Sequence, residues 1–149
     1  MSQVFVSGHK SPDTDSIAAA LSYSYLKRRL GMDAVAVRAG EINKESRFAL
    51  DYFDLEEPIL VTSVARKNPE DEKQKVILVD HNESKQTIDG MDDAEVLEII
   101  DHHRFGDFES ENPIFILVRP VGCVNTVIYG LYKANHIKPS REIAGIMFS

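Results

Sequence analysis

Long apolar runs, cysteine and targeting signals are absent from this sequence or scarce in it, and their scarcity excludes several classes of protein. No apolar run approaches the roughly 18 residues that a membrane-spanning helix needs. A single cysteine, Cys123, cannot form a disulfide within the chain, so the composition does not point to an oxidising compartment. The first residues contain neither a charged leader nor a small-residue cleavage site. We therefore expect no signal peptide and a cytoplasmic location.

Basic residues are also in the minority. The chain has 17 Lys and Arg residues against 24 Asp and Glu residues, which gives a net charge of -7. This balance argues against non-specific binding to nucleic acid or to an anionic membrane, because both need a basic surface. It does not exclude an anionic substrate, since carboxylates can hold divalent cations that in turn bind phosphate. The length of 149 residues and a hydrophobic fraction of 43% predict one domain with a core.

Short apolar segments alternate with amphipathic ones, which predicts an α/β fold with a doubly wound, mainly parallel sheet flanked by helices. The sixth strand is the one least clearly parallel. Residues 65–75 are polar and predict a solvated loop, and Phe48, Tyr52 and Phe53 are predicted to anchor the second helix. The predicted strands are 4–6, 34–37, 59–61, 76–79, 96–100 and 114–118, and the predicted helices are 14–30, 43–53, 126–134 and one that opens at 139–140.

Histidine and aspartate follow three of the predicted strands. Residues 8–16 read GHKSPDTDS, residues 80–83 read DHNE and residues 101–104 read DHHR. In open α/β sheets, ligands bind beyond the carboxyl ends of the strands. The three segments are therefore predicted to lie around one site.

Imidazole nitrogen and carboxylate oxygen without thiolate suit a borderline-hard cation such as manganese, cobalt, magnesium or zinc. A closed structural zinc site would usually draw on cysteine. The three segments supply more ligands than one ordinary site needs, and this number fits a pair of ions, which suits phosphoryl chemistry. Asp80 follows a central strand, from which one carboxylate can bridge both ions.

These segments closely resemble the family II inorganic pyrophosphatases, which belong to the DHH phosphoesterase superfamily. Residues 38–43, 120–123 and 142–147 match as well, so that the resemblance covers essentially the whole chain. The pattern His-x-x-Pro-Asp-x-Asp separates these pyrophosphatases from most other DHH enzymes. Ser11 departs mildly from the family, in which Asn is more frequent at this position.

The resemblance implies a Rossmann-like DHH domain that holds two manganese ions, with cobalt or magnesium as substitutes. By this likeness, His9 and Asp13 would serve one ion, Asp15 and His102 the other, and Asp80 would bridge them. The reaction implied is the hydrolysis of pyrophosphate to two phosphates.

The resemblance also implies roles around the ions. His103 would contact substrate phosphate or help to protonate the leaving phosphate, and Asp101 would orient the site. Lys10 and Arg104 could assist in binding the anion, although a solvated role is favoured for each. Cys123 is interpreted as a packing residue, and His81 is expected to point away from the ions.

Two further expectations concern assembly and completeness. The family implies a homodimer through this domain, in which sheet edges pair. Residues 1–149 would form an N-terminal DHH domain that is truncated at its C-terminal end, without a further Asp ligand and without the second domain that clamps pyrophosphate through lysine and arginine. A nucleotide-binding regulatory module, which some relatives insert near 65–75, is not expected.

Two alternatives stay open. The chain could belong to another DHH phosphoesterase that acts on polyphosphate or short oligonucleotides. It could also be a catalytically incompetent module for metal binding or dimerisation.

Overall fold

A six-stranded sheet forms the centre of the computed structural model, which describes residues 2–149. Every neighbouring pair of strands is parallel, including the sixth strand with the fifth. The strand order is β3-β2-β1-β4-β5-β6. The strands are β1 Val4–Ser7, β2 Ala34–Arg38, β3 Ile59–Leu60, β4 Lys75–Val79, β5 Glu95–Asp101 and β6 Phe115–Val118. The helices are α1 Thr14–Arg29, α2 Lys44–Tyr52, α3 Val124–Ala134 and α4 Arg141–Met147.

One face of the sheet carries the main helical layer. Val6, Ile77 and Ile100 from three neighbouring strands pack in one buried cluster with Tyr23 of α1 and Tyr132 of α3. The alternation of side chains along each strand explains this selection, because every second residue faces the same side. The continuous apolar run of β4 is buried on both faces, as predicted.

Loop segments cover the second face. Val76, Leu78 and Ile99 pack there against Val64 and Ile88, which lie in the connections before β4 and β5. In these connections the described chain contains two short 3-10 turns, Ser84–Gln86 and Met91–Asp93. A doubly wound sheet would have helices on both faces. In residues 2–149, however, the helices lie on one face only. The fold class and the parallel sheet are confirmed.

Capping side chains fix where the helices begin. Asp13 caps α1 by accepting a hydrogen bond from the Ser16 amide, and Asn43 and Ser140 cap α2 and α4 in the same way. An N-cap oxygen satisfies one of the backbone amides left free in the first helical turn. The predicted starts at 14, 43 and 139–140 are therefore confirmed to within a residue or two.

Two of the three predicted anchors of α2 are wrong, whereas the third, Phe53, is partly buried against the cluster of Ala49 and Leu50. Phe48 and Tyr52 are 70% and 71% exposed and stack on each other on the outer side of the helix, with ring centroids 6.0 Å apart. Ala49 and Leu50 are buried instead, in a cluster with residues of α1 and α4. Residues four apart share a helix face, so that the face carrying 48 and 52 turns away when 49 and 50 turn inward. None of the helices within residues 2–149 is long and apolar enough to cross a membrane.

Candidate metal centre

The three His- and Asp-containing segments meet at one edge of the sheet. They follow β1, β4 and β5, which are adjacent in the order β1-β4-β5. The connection from β1 leads to β2 on one side, while β4 lies on the other, so the strand order reverses between β1 and β4. A crevice at such a point is the usual ligand site of an open α/β sheet. The convergence predicted from the sequence is confirmed.

The first group, named here the His9 subsite, consists of His9, Asp13 and Asp80. The Nε2 atom of His9 lies 3.7 Å from Asp13 Oδ1 and 3.4 Å from Asp80 Oδ2. The backbone amide of His9 donates to the Ser16 hydroxyl at 3.0 Å. A Cβ atom at Gly8 would lie 1.7 Å from that hydroxyl oxygen, so only glycine allows this approach of the turn to α1.

The second group, named the His102 subsite, consists of His102, Asp15 and the shared Asp80. The Nδ1–H group of His102 donates to the Val121 carbonyl at 2.8 Å, since a carbonyl can only accept. The other nitrogen, Nε2, therefore faces the carboxylates, at 2.9 Å from Asp80 Oδ1 and 3.5 Å from Asp15 Oδ2.

Asp80 connects the two subsites. Its side chain is only 2% exposed, and its two carboxylate oxygens face different histidines, Oδ2 towards His9 and Oδ1 towards His102. The residue adopts a left-handed backbone conformation, with φ of 62°, immediately after β4. Aspartate tolerates this conformation better than most residues, and such residues cluster at functional sites. The turn directs the carboxylate into the centre and sends the next residue, His81, elsewhere.

The charges in the centre shift the pKa values of its members. Hydrogen bonds to Asp13 and Asp80 raise the pKa of His9 to about 9. The same contact with His9 lowers the pKa of Asp13, whereas burial raises the pKa of Asp80. Burial disfavours the charged form of His102, but the Val121 carbonyl and the Asp80 carboxylate outweigh this, and its pKa is raised. The carboxylates thus favour a positive charge at the Nε2 atoms of both imidazoles.

The donor set fits divalent metal ions. Two groups have ligand atoms that all lie within 4.8 Å of one another, His9 with Asp13 and Asp80, and Asp80 with Asp101, His102 and His103. Asp15 falls outside both groups but faces His102, as described above. Imidazole nitrogen with carboxylate oxygen is a donor set typical of manganese, cobalt or zinc.

Asp101 holds the turn after β5. It is fully buried, and Oδ1 accepts hydrogen bonds from the His102 amide at 2.7 Å and from His103 Nδ1–H at 2.8 Å. Asn82 donates to the other oxygen at 2.7 Å. These bonds occupy the Asp101 carboxylate and leave the Nε2 atom of the half-exposed His103 ring free to face a ligand.

Two predicted substrate contacts are engaged elsewhere. Lys10 forms an ion pair with Asp89 at 2.5 Å, and Arg104, which is 83% exposed, lies 3.5 Å from Glu83. Neither of these contacts brings the basic group to the His9 or His102 subsite.

The sequence interpretation missed the residues that hold Asp15. Cys123 is more than a packing residue, because its thiol donates to Asp15 Oδ1 at 2.8 Å. Burial and this hydrogen bond raise the pKa of the thiol. Asn125 donates to the same oxygen at 2.7 Å, and the Val124 amide donates to Oδ2 at 3.1 Å. In the sequence, the only signal for these donors to Asp15 is the start of α3, because free backbone amides at a helix N-terminus favour an anion.

His81 points away from the carboxylates, as expected. Its ring is completely buried and Nδ1 donates to the Val79 carbonyl at 2.9 Å. Its Nε2 atom has no hydrogen-bond partner among the residues that the structure describes. Burial lowers the pKa of His81 to about 4, so that the ring is neutral.

Fold and site together define a parallel α/β protein with a cluster of histidine and aspartate at the switch point of its sheet that could hold metal ions. The chain belongs to the DHH family, whose N-terminal domain matches residues 3–149.

Within this family, the chain is similar to proteins that are named as pyrophosphatases. Relatives from Exiguobacterium sp. and Bacillus licheniformis, both named "Probable manganese-dependent inorganic pyrophosphatase", are 48% and 49% identical over 149 residues. These matches cover 100% of the chain and 47% of each relative, so the chain spans about half their length. A solved structure from Methanococcus jannaschii, described as a "putative family II inorganic pyrophosphatase", is 36% identical with a TM-score of 0.83. The alignment covers 97% of the present chain and 46% of the Methanococcus jannaschii chain.

Proposed function

We propose that the chain is the metal-binding N-terminal part of a manganese-dependent inorganic pyrophosphatase. One observation carries this proposal: the two oxygens of the buried Asp80 carboxylate face two different histidines, each of which faces a further aspartate. Such an arrangement suits a pair of ions that share one carboxylate. The names of the relatives and their near-50% identity support manganese and pyrophosphate.

We assign His9 and Asp13 to one ion, Asp15 and His102 to the other, and Asp80 to both. Two divalent ions in such a site lower the pKa of bound water and neutralise phosphate oxygens. Cobalt and magnesium are proposed substitutes, because the ligand set contains no group specific for manganese. The chain's own contribution is to hold the ligand atoms in place from three strand ends and two helix starts.

His103 is the residue we assign to the substrate. Because the Nδ1–H group of His103 donates a hydrogen bond to Asp101, the Nε2 atom points outward and can donate a proton to the leaving phosphate when the ring is charged. Asp101 acts as a positioning residue through its bonds to both histidines of the turn. Contact of Lys10 or Arg104 with phosphate stays a prediction, since each would have to leave its carboxylate partner.

We also propose the assembly implied by the family. The chain would serve as an N-terminal DHH domain in the cytoplasm, with a second domain supplying further basic groups to pyrophosphate. It would dimerise through the edge strand β6, where Phe115 and Ile116 are 49% and 43% exposed. Pairing covers an apolar edge that would otherwise invite aggregation.

Phosphate release tests the activity. The 149-residue chain and a fusion of it to the C-terminal half of the Bacillus licheniformis relative are assayed with Mn²⁺ on pyrophosphate, polyphosphate and a short oligonucleotide. We expect the fusion to hydrolyse pyrophosphate best and at least about a hundredfold faster than the chain alone, since electrostatic groups on phosphate contribute that much each. A fusion that prefers polyphosphate or the oligonucleotide would contradict the assignment, as would equal rates of the two proteins.

Sedimentation velocity tests the assembly. The parent chain should sediment as a dimer at micromolar concentration, and Ile116→Lys should make it monomeric by placing a charge in the paired edge. Leu60→Lys on the opposite edge strand β3 is the matched control, because Leu60 is similarly exposed at 41%. Dissociation by Leu60→Lys but not by Ile116→Lys would show that the wrong edge was chosen.

A further inference from the structure

Asp15 is the most completely hydrogen-bonded carboxylate of the two subsites. Its Oδ1 atom accepts from the Cys123 thiol at 2.8 Å and from the Asn125 amide at 2.7 Å. A carboxylate oxygen has two lone-pair positions, so these two bonds fill Oδ1. The Oδ2 atom accepts one bond, from the Val124 amide at 3.1 Å, and its remaining position is open towards His102 at 3.5 Å.

The amide of Asn125 can be oriented in only one way. Its Nδ2 group faces Oδ1 and, at 3.2 Å, the backbone carbonyl of Asp15, both of which only accept hydrogen bonds. Its Oδ1 atom accepts from the Ser22 hydroxyl at 3.0 Å. Asn125 and Ser22 are 2% and 0% exposed, so water does not compete for these bonds. The amide thus connects α1 and α3 directly behind Asp15.

We propose that Asn125 is a positioning residue that restricts Asp15 to a single coordinating oxygen and so makes the His102 subsite favour Mn²⁺ over Ca²⁺. The inference rests on the proposed function, because it presumes that this subsite binds a divalent ion. Ca²⁺ takes six to eight oxygen ligands and often chelates a carboxylate through both oxygens. An Oδ1 atom that already accepts two hydrogen bonds denies Ca²⁺ that second contact, whereas a smaller ion that takes Oδ2 alone loses nothing.

Calorimetric titration with Mn²⁺ and with Ca²⁺ tests the inference on the 149-residue chain. The titrations are made in the His9→Asn background, so that the His102 subsite dominates the signal. Asn125→Ala should weaken Mn²⁺ binding about tenfold to a hundredfold, which is typical when a residue that orients a ligand is removed. Ca²⁺ binding should weaken less, and the ratio of the two affinities should fall about tenfold or more. The visible absorption of bound Co²⁺ should change in the same variant, because the Asp15 ligand can rotate.

Two variants keep the result interpretable. Ser22→Ala leaves the Asn125 amide in place but removes the hydroxyl that orients it, and it should shift the Mn²⁺/Ca²⁺ ratio in the same direction by a few fold. Asn135→Ala at the other end of α3, where the side chain donates to the Leu131 carbonyl at 2.8 Å, is the matched control and should change nothing.

The outcomes separate this inference from the proposed function. An Mn²⁺/Ca²⁺ ratio within about twofold of the parent in both Asn125→Ala and Ser22→Ala would overturn the positioning role alone. A parent chain that binds no Mn²⁺ would overturn the proposed function and this inference with it.

Discussion

The His9 and His102 subsites share Asp80 but are built differently. In the His9 subsite, the other two proposed ligands come from one turn, and Asp13 is 59% exposed and held by the Ser16 amide of its own helix. In the His102 subsite, Asp15 is 20% exposed and receives its donors from α3, more than a hundred residues further along the chain. The first subsite is a local structure and the second depends on tertiary packing.

This difference separates two ways of holding a ligand. A capping aspartate keeps its position as long as α1 is helical, because its partner is three residues away. Asp15 keeps its position only while α1 and α3 remain packed together. The His102 subsite should therefore be the more rigid of the two in the folded chain and the first to lose its geometry when the packing is disturbed.

The largest expected effect comes from Asp80, which both subsites share. Asp80→Asn should lower the affinity for both Mn²⁺ ions by more than about a hundredfold, since removal of a group that merely orients a ligand already costs 10- to 100-fold. Isothermal calorimetry of the purified chain measures both events. Loss of only one of two binding steps would show that Asp80 serves a single ion, and Asp89→Asn, on an exposed residue outside both subsites, is the control.

The sequence allowed the locally determined part of the molecule to be predicted. The strands, the starts of the helices and the convergence of three segments follow from apolar runs, capping residues and the rule that ligands lie at the carboxyl ends of parallel strands. The turn holding His9, Asp13 and Asp15 was likewise visible as a motif. These features depend on neighbours in sequence or on a single topological rule.

The missed features depend on contacts between distant segments. Cys123 and Asn125 meet Asp15 only because α3 packs on α1, and the start of α3 indicates a site that favours an anion without indicating which carboxylate occupies it. The inward face of α2 was misjudged because size and hydrophobicity favoured Phe48 and Tyr52. The small Ala49 permits closer packing of the helix, and tertiary packing of this kind overrides the hydrophobic signal.

The two subsites also differ in what lies behind their histidines. His102 donates a hydrogen bond to the Val121 carbonyl. Behind His9 lies the buried, neutral ring of His81, with the two ring centroids 6.5 Å apart. The pKa of His81 is about 4 in the folded chain and 6.5 when unfolded. Between pH 4 and pH 6.5, unfolding is therefore accompanied by the uptake of a proton. The free energy of unfolding is highest above pH 6.5 and falls by about 3 kcal/mol as the pH decreases to 4.

Comparison with His81→Phe, which keeps a ring but cannot titrate, isolates this effect. The variant should be less stable at pH 7, where it lacks the bond to the Val79 carbonyl, by about 1–3 kcal/mol. In urea unfolding, the stability of the parent relative to the variant should fall by about 3 kcal/mol on going from pH 7 to pH 4, so that at pH 4 the variant is as stable as the parent or more stable. A difference that is constant over this range would show that His81 is not held neutral by burial.

A matched pair of substitutions tests the contrast between the two aspartates directly. In the metal-free chain, Asp15→Asn places an amide opposite the donors of α3 and should destabilise by about 1–3 kcal/mol. With both variants unfolded at about pH 10, where His9 is neutral and its ion pair with Asp13 no longer contributes, Asp13→Asn should cost less than about 1 kcal/mol, because asparagine caps helices as well as aspartate. Urea unfolding in the presence of a chelator measures both. If both variants lose the same free energy of unfolding, Asp13 and Asp15 do not differ in the way they are held, and the contrast between a local contact and a contact with α3 is wrong.

The smallest effect concerns the proton that a metal ion displaces from His9. With a folded pKa of about 9 against 6.5 unfolded, the ion pairs of His9 stabilise the metal-free chain fully below pH 6.5, and this contribution is lost as the pH rises to about 9. A metal ion needs the neutral ring, so at pH 7.5 binding at the His9 subsite should release close to one proton. Repeating the Mn²⁺ titration in buffers of different ionisation enthalpy counts the protons released. His9→Asn should lower the count by nearly one. If the count is the same in parent and variant, His9 is already neutral in the folded chain, and the charged state assigned here to the His9 subsite is wrong.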